Sequence, residues 1–177
     1  MNIVLTGYRC TGKTTVGRII AQDLMRDFVD TDVLIQERTG LPIQTYVSEN
    51  GWDLFRRVER EIVRDVAAKA GLVIATGGGV VMDRENVRML RRDGWLIWLK
   101  ADPSIIRKRM RWEEEAGGLR PSLSGTDSLK EVDAILSERT GFYRRASDHM
   151  EDTNQRGPEE VAQAIIKALP QGLMNVD

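Results

Sequence analysis

The sequence has one cysteine, one histidine and almost no net charge, and each scarcity narrows the possible functions. Because Cys10 is alone, no disulfide can form within the chain, which favours a reducing compartment. His149 has no cluster around it for metal or triad chemistry, and no role is assigned to it. The formal charge of -1 creates no overall field that would recruit nucleic acid or an acidic membrane.

Long apolar runs are also missing, and no segment approaches the length needed to span a bilayer. The first ten residues lack the basic and apolar regions of a signal peptide. We therefore expect a soluble, cytoplasmic protein. The 177 residues, 41% hydrophobic and 30% charged, suit one globular domain covering 1–177. Arg supplies 20 of the 26 basic residues, which makes small anionic ligands plausible because guanidinium groups pair well with carboxylates and phosphates.

Short apolar runs alternate with helical patterns, which predicts an α/β fold with a parallel sheet and helices on both faces. The segment 113–126 has no periodicity and contains three glycines and a proline, so we predict a mobile loop there. Predicted strands lie at 2–6, 28–30, 72–76, 95–101 and 149–153. Predicted helices lie at 13–28, 32–40, 43–50 ending at Gly51, 52–71, 83–94, 102–112, 127–147 with a break near Gly141, and 157–169.

The segment GYRCTGKT, residues 7–14, matches the phosphate-loop pattern G-x-x-x-x-G-K-[ST]. A predicted strand precedes it and a predicted helix follows it, as the motif requires. Gly7 and Gly12 allow the backbone to curl so that N–H groups face phosphate oxygens. Lys13 would reach the β- and γ-phosphates, and the Thr14 hydroxyl would ligate Mg²⁺. A chance match in an unrelated turn is the alternative, and the flanking elements argue against it.

The rest of the chain favours a kinase over other phosphate-loop proteins. No guanine-reading NKxD is present, and the run LVIATGGG ends in Thr and glycines rather than in Asp-Glu. The metal's carboxylate must lie elsewhere, and Asp30 at the end of the second strand is the candidate. Asp32 follows closely and could accept the proton of an attacking hydroxyl.

Several further segments complete a pattern that resembles the shikimate kinase family almost end to end. They are GYRCTGKTTVGR, FVDTD, LFRRVE, IATGGG, LRPSL and ERTGFYRR, in this order, with EDTNQRGP near the C-terminus resembling the family's adenine-side loop. The resemblance implies an ATP:shikimate 3-phosphotransferase in aromatic amino-acid biosynthesis, with ATP and Mg²⁺ and no nucleic-acid or membrane partner. It also implies a nucleoside-monophosphate-kinase fold, with a five-stranded parallel sheet in the order 2-3-1-4-5 and a lid at about 112–126. We expect a monomer.

The resemblance also implies roles for individual residues. Catalysis would involve Lys13, Asp32 and Arg120, the last swinging in with the lid. Shikimate would be held by Asp32, by Arg56 and Arg139 at its carboxylate, and by the backbone of Gly77, Gly78 and Gly79. The nucleotide would be held by Cys10, Thr11, Gly12, Lys13, Thr14, Thr15 and Arg120, with Arg109 and Arg156 flanking the adenine. Mg²⁺ would be held by Thr14 and, through water, by Asp30.

Several of these residues also have a plain structural interpretation. Asp32 could be only the N-cap of the following helix, and the glycines could form an ordinary loop. Arg56 and Arg57 are adjacent on a helix and cannot face the same way. Arg139 would otherwise be taken as an exposed helix end. Trp52 and Phe55, at helical spacing, fit the core better than ligand stacking, and 113–115 fits a solvated stretch.

Cys10 departs from the family pattern, which usually has glycine at this position and a small residue at Thr11. A side chain at position 10 must point away from the phosphates. A thiol near a helix N-terminus could be acidic and oxidisable, but a small residue that merely fits is the simpler interpretation. We therefore expect Cys10→Gly to change ATP affinity only modestly.

Two other functions remain open from the residues. One is a different small-metabolite kinase of the same fold, acting on gluconate or a nucleotide; Arg56, Arg139 and Asp32 favour a carboxylated polyol instead. The other is a nucleotide-binding regulator that has lost catalysis. The intact Lys13 and Asp32 argue against it, as do Thr14, Asp30 and Arg120.

Overall fold

The structure is a computed structural model that describes residues 1–115, 129 and 131–174. Within those residues the chain forms five strands and eight helices, with a 3₁₀ turn at Val80–Met82. The strands are β1 Asn2–Thr6, β2 Phe28–Asp30, β3 Val73–Ala75, β4 Gly94–Lys100 and β5 His149–Asp152. The helices are α1 Lys13–Asp23, α2 Thr31–Thr39, α3 Ile43–Ala67, α4 Arg84–Arg92, α5 Pro103–Glu115, α6 Val132–Ala146, α7 Pro158–Ala168 and α8 Gln171–Met174.

The strands form one parallel sheet in the order β2-β3-β1-β4-β5, which confirms the predicted topology. β1 lies at the centre, paired with β3 on one side and β4 on the other. All five strands therefore end at the same edge of the sheet, and ligands in open α/β folds bind beyond that edge.

Two hydrophobic clusters cover the two faces of the sheet, because side chains alternate between the faces along each strand. Val4, Ile74 and Leu96 point to the cluster that includes residues of α3, α4 and α6. Ile3 and Leu5 point to the opposite cluster, which includes residues of α1 and α7. The predicted arrangement of helices on both faces is confirmed.

The predicted break in the helical region 43–71 is confirmed at Gly51. α3 consists of two helical segments joined at a kink, where Gly51 has the non-helical angles φ 81 and ψ 167. A positive φ of this kind is available to glycine at little cost. The break lets the second half of α3 start in a new direction, and this half carries Trp52, Phe55 and Arg56.

Several predicted boundaries and one predicted break are wrong; α3, for example, ends at Ala67 rather than at residue 71. α1 ends at Asp23 rather than at residue 28, because Met25 turns into the left-handed region with φ 51. α5 continues to Glu115, so residues 113–115 are helical rather than the start of a loop, in line with the good helix propensity of Glu. α6 runs through Gly141 without a break. The rest of the predicted loop and lid lies outside the described residues, and α8 was not predicted.

Among the described residues, no helix is both long and apolar enough to span a bilayer.

Candidate active site

A cavity of about 650 Å³ opens at the carboxyl edge of the sheet, a size typical of small-molecule sites. Its walls come from the β1–α1 loop, the ends of β2 and β3, and helices α3 and α6. The predicted site residues that line it are Cys10, Gly12, Lys13, Thr14, Thr15, Asp30, Asp32, Arg56, Gly77, Gly78, Gly79 and Arg139. The structure therefore brings most of the predicted site residues together in this cavity.

The β1–α1 loop is held in its curled form by glycine geometry and by Lys13. Gly7 and Gly12 have φ of 142 and 94, and a Cβ on Gly7 would lie 2.5 Å from the carbonyl oxygen of Leu99. Lys13 Nζ crosses the loop and donates to the carbonyl oxygens of Gly7 at 2.9 Å and Tyr8 at 2.7 Å. Those contacts place the ammonium group beside the N-terminus of α1. The N-terminus of a helix favours the binding of anions such as phosphate.

Thr11 and Cys10 behave differently within this loop. The Thr11 hydroxyl is buried and donates to the carbonyl oxygen of Tyr8 at 2.8 Å, so the Thr11 side chain fixes the loop and does not line the cavity. Cys10 has φ 59, a left-handed conformation for a residue with a side chain. Its Sγ lies 3.4 Å from Glu113 Oε2 on α5. Glu113 lines the cavity, so the interpretation of 113–115 as a merely solvated stretch is wrong at Glu113.

Thr14 and Asp30 form an oxygen-rich corner beside the loop. Thr14 Oγ1 donates to Asp30 Oδ2 at 2.7 Å, and Asp30 Oδ1 accepts from the Asp32 N–H at 3.0 Å. Asp30 is therefore the N-cap of α2, and the alternative that Asp32 is this cap is wrong, because α2 already begins at Thr31. A hydroxyl and a carboxylate are suitable donors for Mg²⁺. Within the described part of the chain, no group of three His, Cys, Asp or Glu residues could hold a metal.

Asp32 is packed against the glycine segment that follows β3. A Cβ on Gly77 would lie 2.7 Å from Asp32 Oδ1 and 3.3 Å from Glu59 Oε1, so glycine at this position makes room for both carboxylates. The Gly77 N–H donates to the buried Thr31 hydroxyl at 2.9 Å. This hydrogen bond ties the end of β3 to the start of α2, the helix that carries Asp32.

Arg56 is held by a carboxylate and two aromatic rings. Its Nη1 donates to both carboxylate oxygens of Glu59, at 2.8 and 2.7 Å. Its guanidinium carbon lies 5.4 Å from the centre of the Trp52 ring and 5.2 Å from that of Phe55. Trp52 and Phe55 line the cavity as well as packing with the core, and Arg57 is exposed, as expected for neighbours on a helix.

Burial raises the pKa of Glu59 above its usual value, and the nearby Arg56 guanidinium opposes that shift. Glu59 is 1% exposed. Glu59 was not among the predicted site residues, although a charged residue three positions after Arg56 on the apolar side of a helix is a signal visible in the sequence.

Arg139 enters the cavity from α6, so the interpretation as an exposed helix end is wrong. Its Nη1 lies 3.4 Å from the carbonyl oxygen of Gly78. One turn later on the same helix, the Tyr143 hydroxyl donates to the same oxygen at 2.5 Å. Tyr143 was also missed, because nothing local in ERTGFYRR indicates a contact with residues 65 positions earlier.

Arg109 and Arg156 lie away from the cavity wall. Arg109 donates to the carbonyl oxygen of Cys10 at 3.2 Å and to that of Thr153 at 2.5 Å, so it joins the phosphate loop to the segment after β5. Arg156 forms an ion pair with Glu151, which also contacts His149 at 3.1 Å. Arg120 lies outside the described residues.

This fold and this site define a class, the phosphate-loop kinases that act on small molecules. The phosphate loop and the oxygen-rich corner of Thr14 and Asp30 adjoin a cavity that is also lined by Asp32, Arg56 and Arg139.

Comparisons with known proteins identify the family. The family model for shikimate kinase matches residues 9–170. A shikimate kinase of Symbiobacterium thermophilum is 42% identical over 171 residues, covering 96% of each chain. One from Syntrophus aciditrophicus is 38% identical over 99% of this chain and 94% of its own. The structure of shikimate kinase from Acinetobacter baumannii in complex with shikimate superposes with a TM-score of 0.87 at 30% identity, covering 94% of this chain and 91% of that one. The chain belongs to the shikimate kinase family.

Proposed function

We propose that this protein transfers the terminal phosphoryl group of ATP to the 3-hydroxyl of shikimate, giving shikimate 3-phosphate and ADP. This is a step in the synthesis of chorismate and the aromatic amino acids. The observation that carries the proposal is the convergence of Asp32, Arg56 and Arg139 on the cavity that Lys13 also lines. Family membership over residues 9–170 supports it independently.

The phosphate loop would hold the nucleotide. Amide groups from Cys10 to Thr15, at the start of α1, would bind the phosphates, with Lys13 adding a positive charge. Thr14 and Asp30 would hold Mg²⁺, Asp30 through water. When bound, the ion neutralises charge on the transferred phosphoryl group.

Arg56 and Arg139 would bind the carboxylate of shikimate. Guanidinium and carboxylate groups match in planar, paired hydrogen bonds, each worth about 1.5–3 kcal/mol net. Arg56 is already oriented by Glu59 and by the rings of Trp52 and Phe55. Less rotamer freedom is therefore lost when the substrate binds.

Asp32 would accept hydrogen bonds from the ring hydroxyls and take the proton of the attacking one. Its carboxylate lies against Gly77, so backbone amides of the glycine segment can contact the same substrate. Since phosphoryl transfer needs little covalent help, orientation and charge carry most of the acceleration.

The remaining roles complete the proposal. Arg120, in a lid at about 112–126, would close onto the phosphates and help exclude water as a competing acceptor. Arg109 and Arg156 would flank the adenine, and Arg109 already contacts the phosphate loop. We take residues 1–177 as one domain, acting as a cytoplasmic monomer without nucleic-acid or membrane partners.

An acceptor assay tests the proposal. ADP formation is measured with ATP and Mg²⁺ in four parallel reactions containing shikimate, gluconate, AMP or no acceptor. We expect rapid ADP formation with shikimate alone, and shikimate 3-phosphate as the product by mass spectrometry. Equal rates in all four reactions would indicate a hydrolase, and a preference for gluconate or AMP would overturn the substrate assignment.

A further inference from the structure

The three glycines after β3 have no side chains, so hydrogen bonds and close packing alone hold their conformation. Three hydrogen bonds hold the first and last glycines of the segment. The Gly77 N–H donates to Thr31 Oγ1, the Gly77 carbonyl accepts from Val80 and the Gly79 carbonyl accepts from Met82. The remaining carbonyl, that of Gly78, is held by α6.

Tyr143 makes the shorter of the two contacts to the Gly78 carbonyl. Its hydroxyl lies 2.5 Å from that oxygen, against 3.4 Å for Arg139 Nη1. Tyr143 is fully buried, and its ring stacks on Trp98 of β4 with 5.8 Å between ring centres and 17° between ring planes. The ring is therefore fixed by the sheet, and the hydroxyl is a rigid donor. Burial raises the pKa of this hydroxyl, so it remains a donor at neutral pH.

A trans peptide links the orientation of the Gly78 carbonyl to that of the next amide. The C=O of Gly78 and the N–H of Gly79 belong to one planar unit and point in opposite directions. Holding the carbonyl towards α6 turns the Gly79 N–H away from α6. Arg56 lies beside Gly79: its Nη2 is 2.5 Å from the position that a Gly79 Cβ would occupy. Within the described part of the chain, the N–H groups of Gly78 and Gly79 donate no hydrogen bond.

We propose that Tyr143 is a positioning residue, whose hydroxyl orients the Gly78–Gly79 peptide so that the Gly79 N–H faces the acceptor pocket beside Arg56. The amide is then a prearranged donor for the anionic substrate. Tyr143 itself does not touch the substrate. This inference rests on the proposed function, since it assigns a task to the glycine segment in binding shikimate.

Tyr143→Phe removes the hydroxyl and keeps the stacked ring. Because one charge-assisted hydrogen bond is worth about 1.5–3 kcal/mol, we expect the KM for shikimate to rise roughly tenfold or more. The KM for ATP should stay within about twofold, because the phosphate loop is not altered. Tyr46→Phe is the matched control: Tyr46 is a partly buried tyrosine packed on the same core and is not part of the cavity wall. It should leave both constants unchanged.

A structural role for the hydroxyl would give a different result. Tyr143→Phe would then lower Tm and weaken shikimate and ATP to the same extent, and this outcome would overturn the proposal, as would unchanged constants. If the wild-type protein does not phosphorylate shikimate, the proposed function fails instead, so the two failures are distinguishable.

A second measurement needs no variant. In ¹H–¹⁵N spectra of the wild-type protein, saturating shikimate should shift the Gly79 amide resonance strongly, and the Gly77 amide, held by Thr31, much less. An unperturbed Gly79 amide would overturn the inference even if Tyr143→Phe does not fold.

Discussion

Thr14 and Asp30 are joined by a 2.7 Å hydrogen bond between Oγ1 and Oδ2, and this bond connects the first turn of α1 to the end of β2. The same Asp30 carboxylate caps α2 through the Asp32 N–H. The Asp30 side chain therefore holds both the oxygen-rich corner, where Mg²⁺ is proposed to bind, and the start of α2, the helix that carries Asp32.

Asp30→Asn should separate the capping of α2 from the proposed binding of Mg²⁺. Asparagine caps helices as well as aspartate does, so the unfolding free energy should change by less than about 0.5 kcal/mol. The loss of charge should raise the Mg²⁺ concentration for half-maximal activity roughly 10-fold or more, as for other outer-sphere ligands. Mg²⁺ titration of the kinase rate checks the prediction.

Asp83→Asn is the control, because Asp83 caps α4 through the Glu85 N–H at 2.8 Å and lies outside the cavity wall. It should leave the Mg²⁺ dependence unchanged. If both variants behave alike, Asp30 has no special role towards the metal.

Arg56→Lys should weaken shikimate and spare ATP. Lysine keeps the charge but cannot form a planar pair with a carboxylate, and the loss of one bond of about 1.5–3 kcal/mol corresponds to roughly a 10- to 100-fold rise in the KM for shikimate. Arg60→Lys is the control, since Arg60 lies one turn later on α3 and pairs with Asp83 at the surface. Equal effects of the two substitutions on the KM for shikimate would contradict the assignment.

Cys10→Gly should be well tolerated. The left-handed backbone at Cys10 costs about 1–2 kcal/mol, and the greater freedom of glycine in the unfolded chain offsets about 0.4–1 kcal/mol of the gain. We expect a stabilisation between zero and about 1.6 kcal/mol and ATP affinity within about threefold, measured by denaturation and by nucleotide titration. A large loss of activity would show that the thiol has a function of its own.

Glu59→Gln should change how stability depends on pH. Burial raises the folded-state pKa of Glu59, so the folded protein holds this proton more tightly than the unfolded chain does. The stabilising contribution is complete below the unfolded pKa and is lost as pH rises through the folded one. As pH rises from about 4.5 through the raised folded-state pKa of Glu59, the wild-type protein should therefore lose stability relative to the variant, by at most about 1.4 kcal/mol per pH unit. Urea denaturation across this range measures the difference, and a constant difference would contradict the prediction.

The fold was largely predictable because its signals are local. β1, β3 and β4 are short apolar runs, and Gly40 and Gly51 mark helix ends with positive φ. The end of α1 was not predictable, because no glycine marks Met25. Long-range contacts fix that turn: Arg26 donates to the carbonyl oxygens of Met1 and Leu173, residues far away in sequence.

Site residues were predictable from the sequence only where they belong to a recognisable motif. The phosphate loop, Asp32, Arg56 and Arg139 belong to recognisable segments. Thr31, Glu59 and Tyr143 support them through contacts with distant or buried groups, and such contacts depend on tertiary packing. The N-cap of α2 was not predictable either, since aspartate at position 30 or 32 suits the N-cap pattern equally well.

The central claim is that Asp32 activates a hydroxyl of shikimate beside ATP, and the most direct test is the kcat of Asp32→Asn. The variant is nearly isosteric but cannot take a proton, so kcat should fall about 10²- to 10⁴-fold, while ATP affinity and Tm stay near the wild-type values. A variant with wild-type kcat, or one impaired only in ATP affinity, would contradict the account.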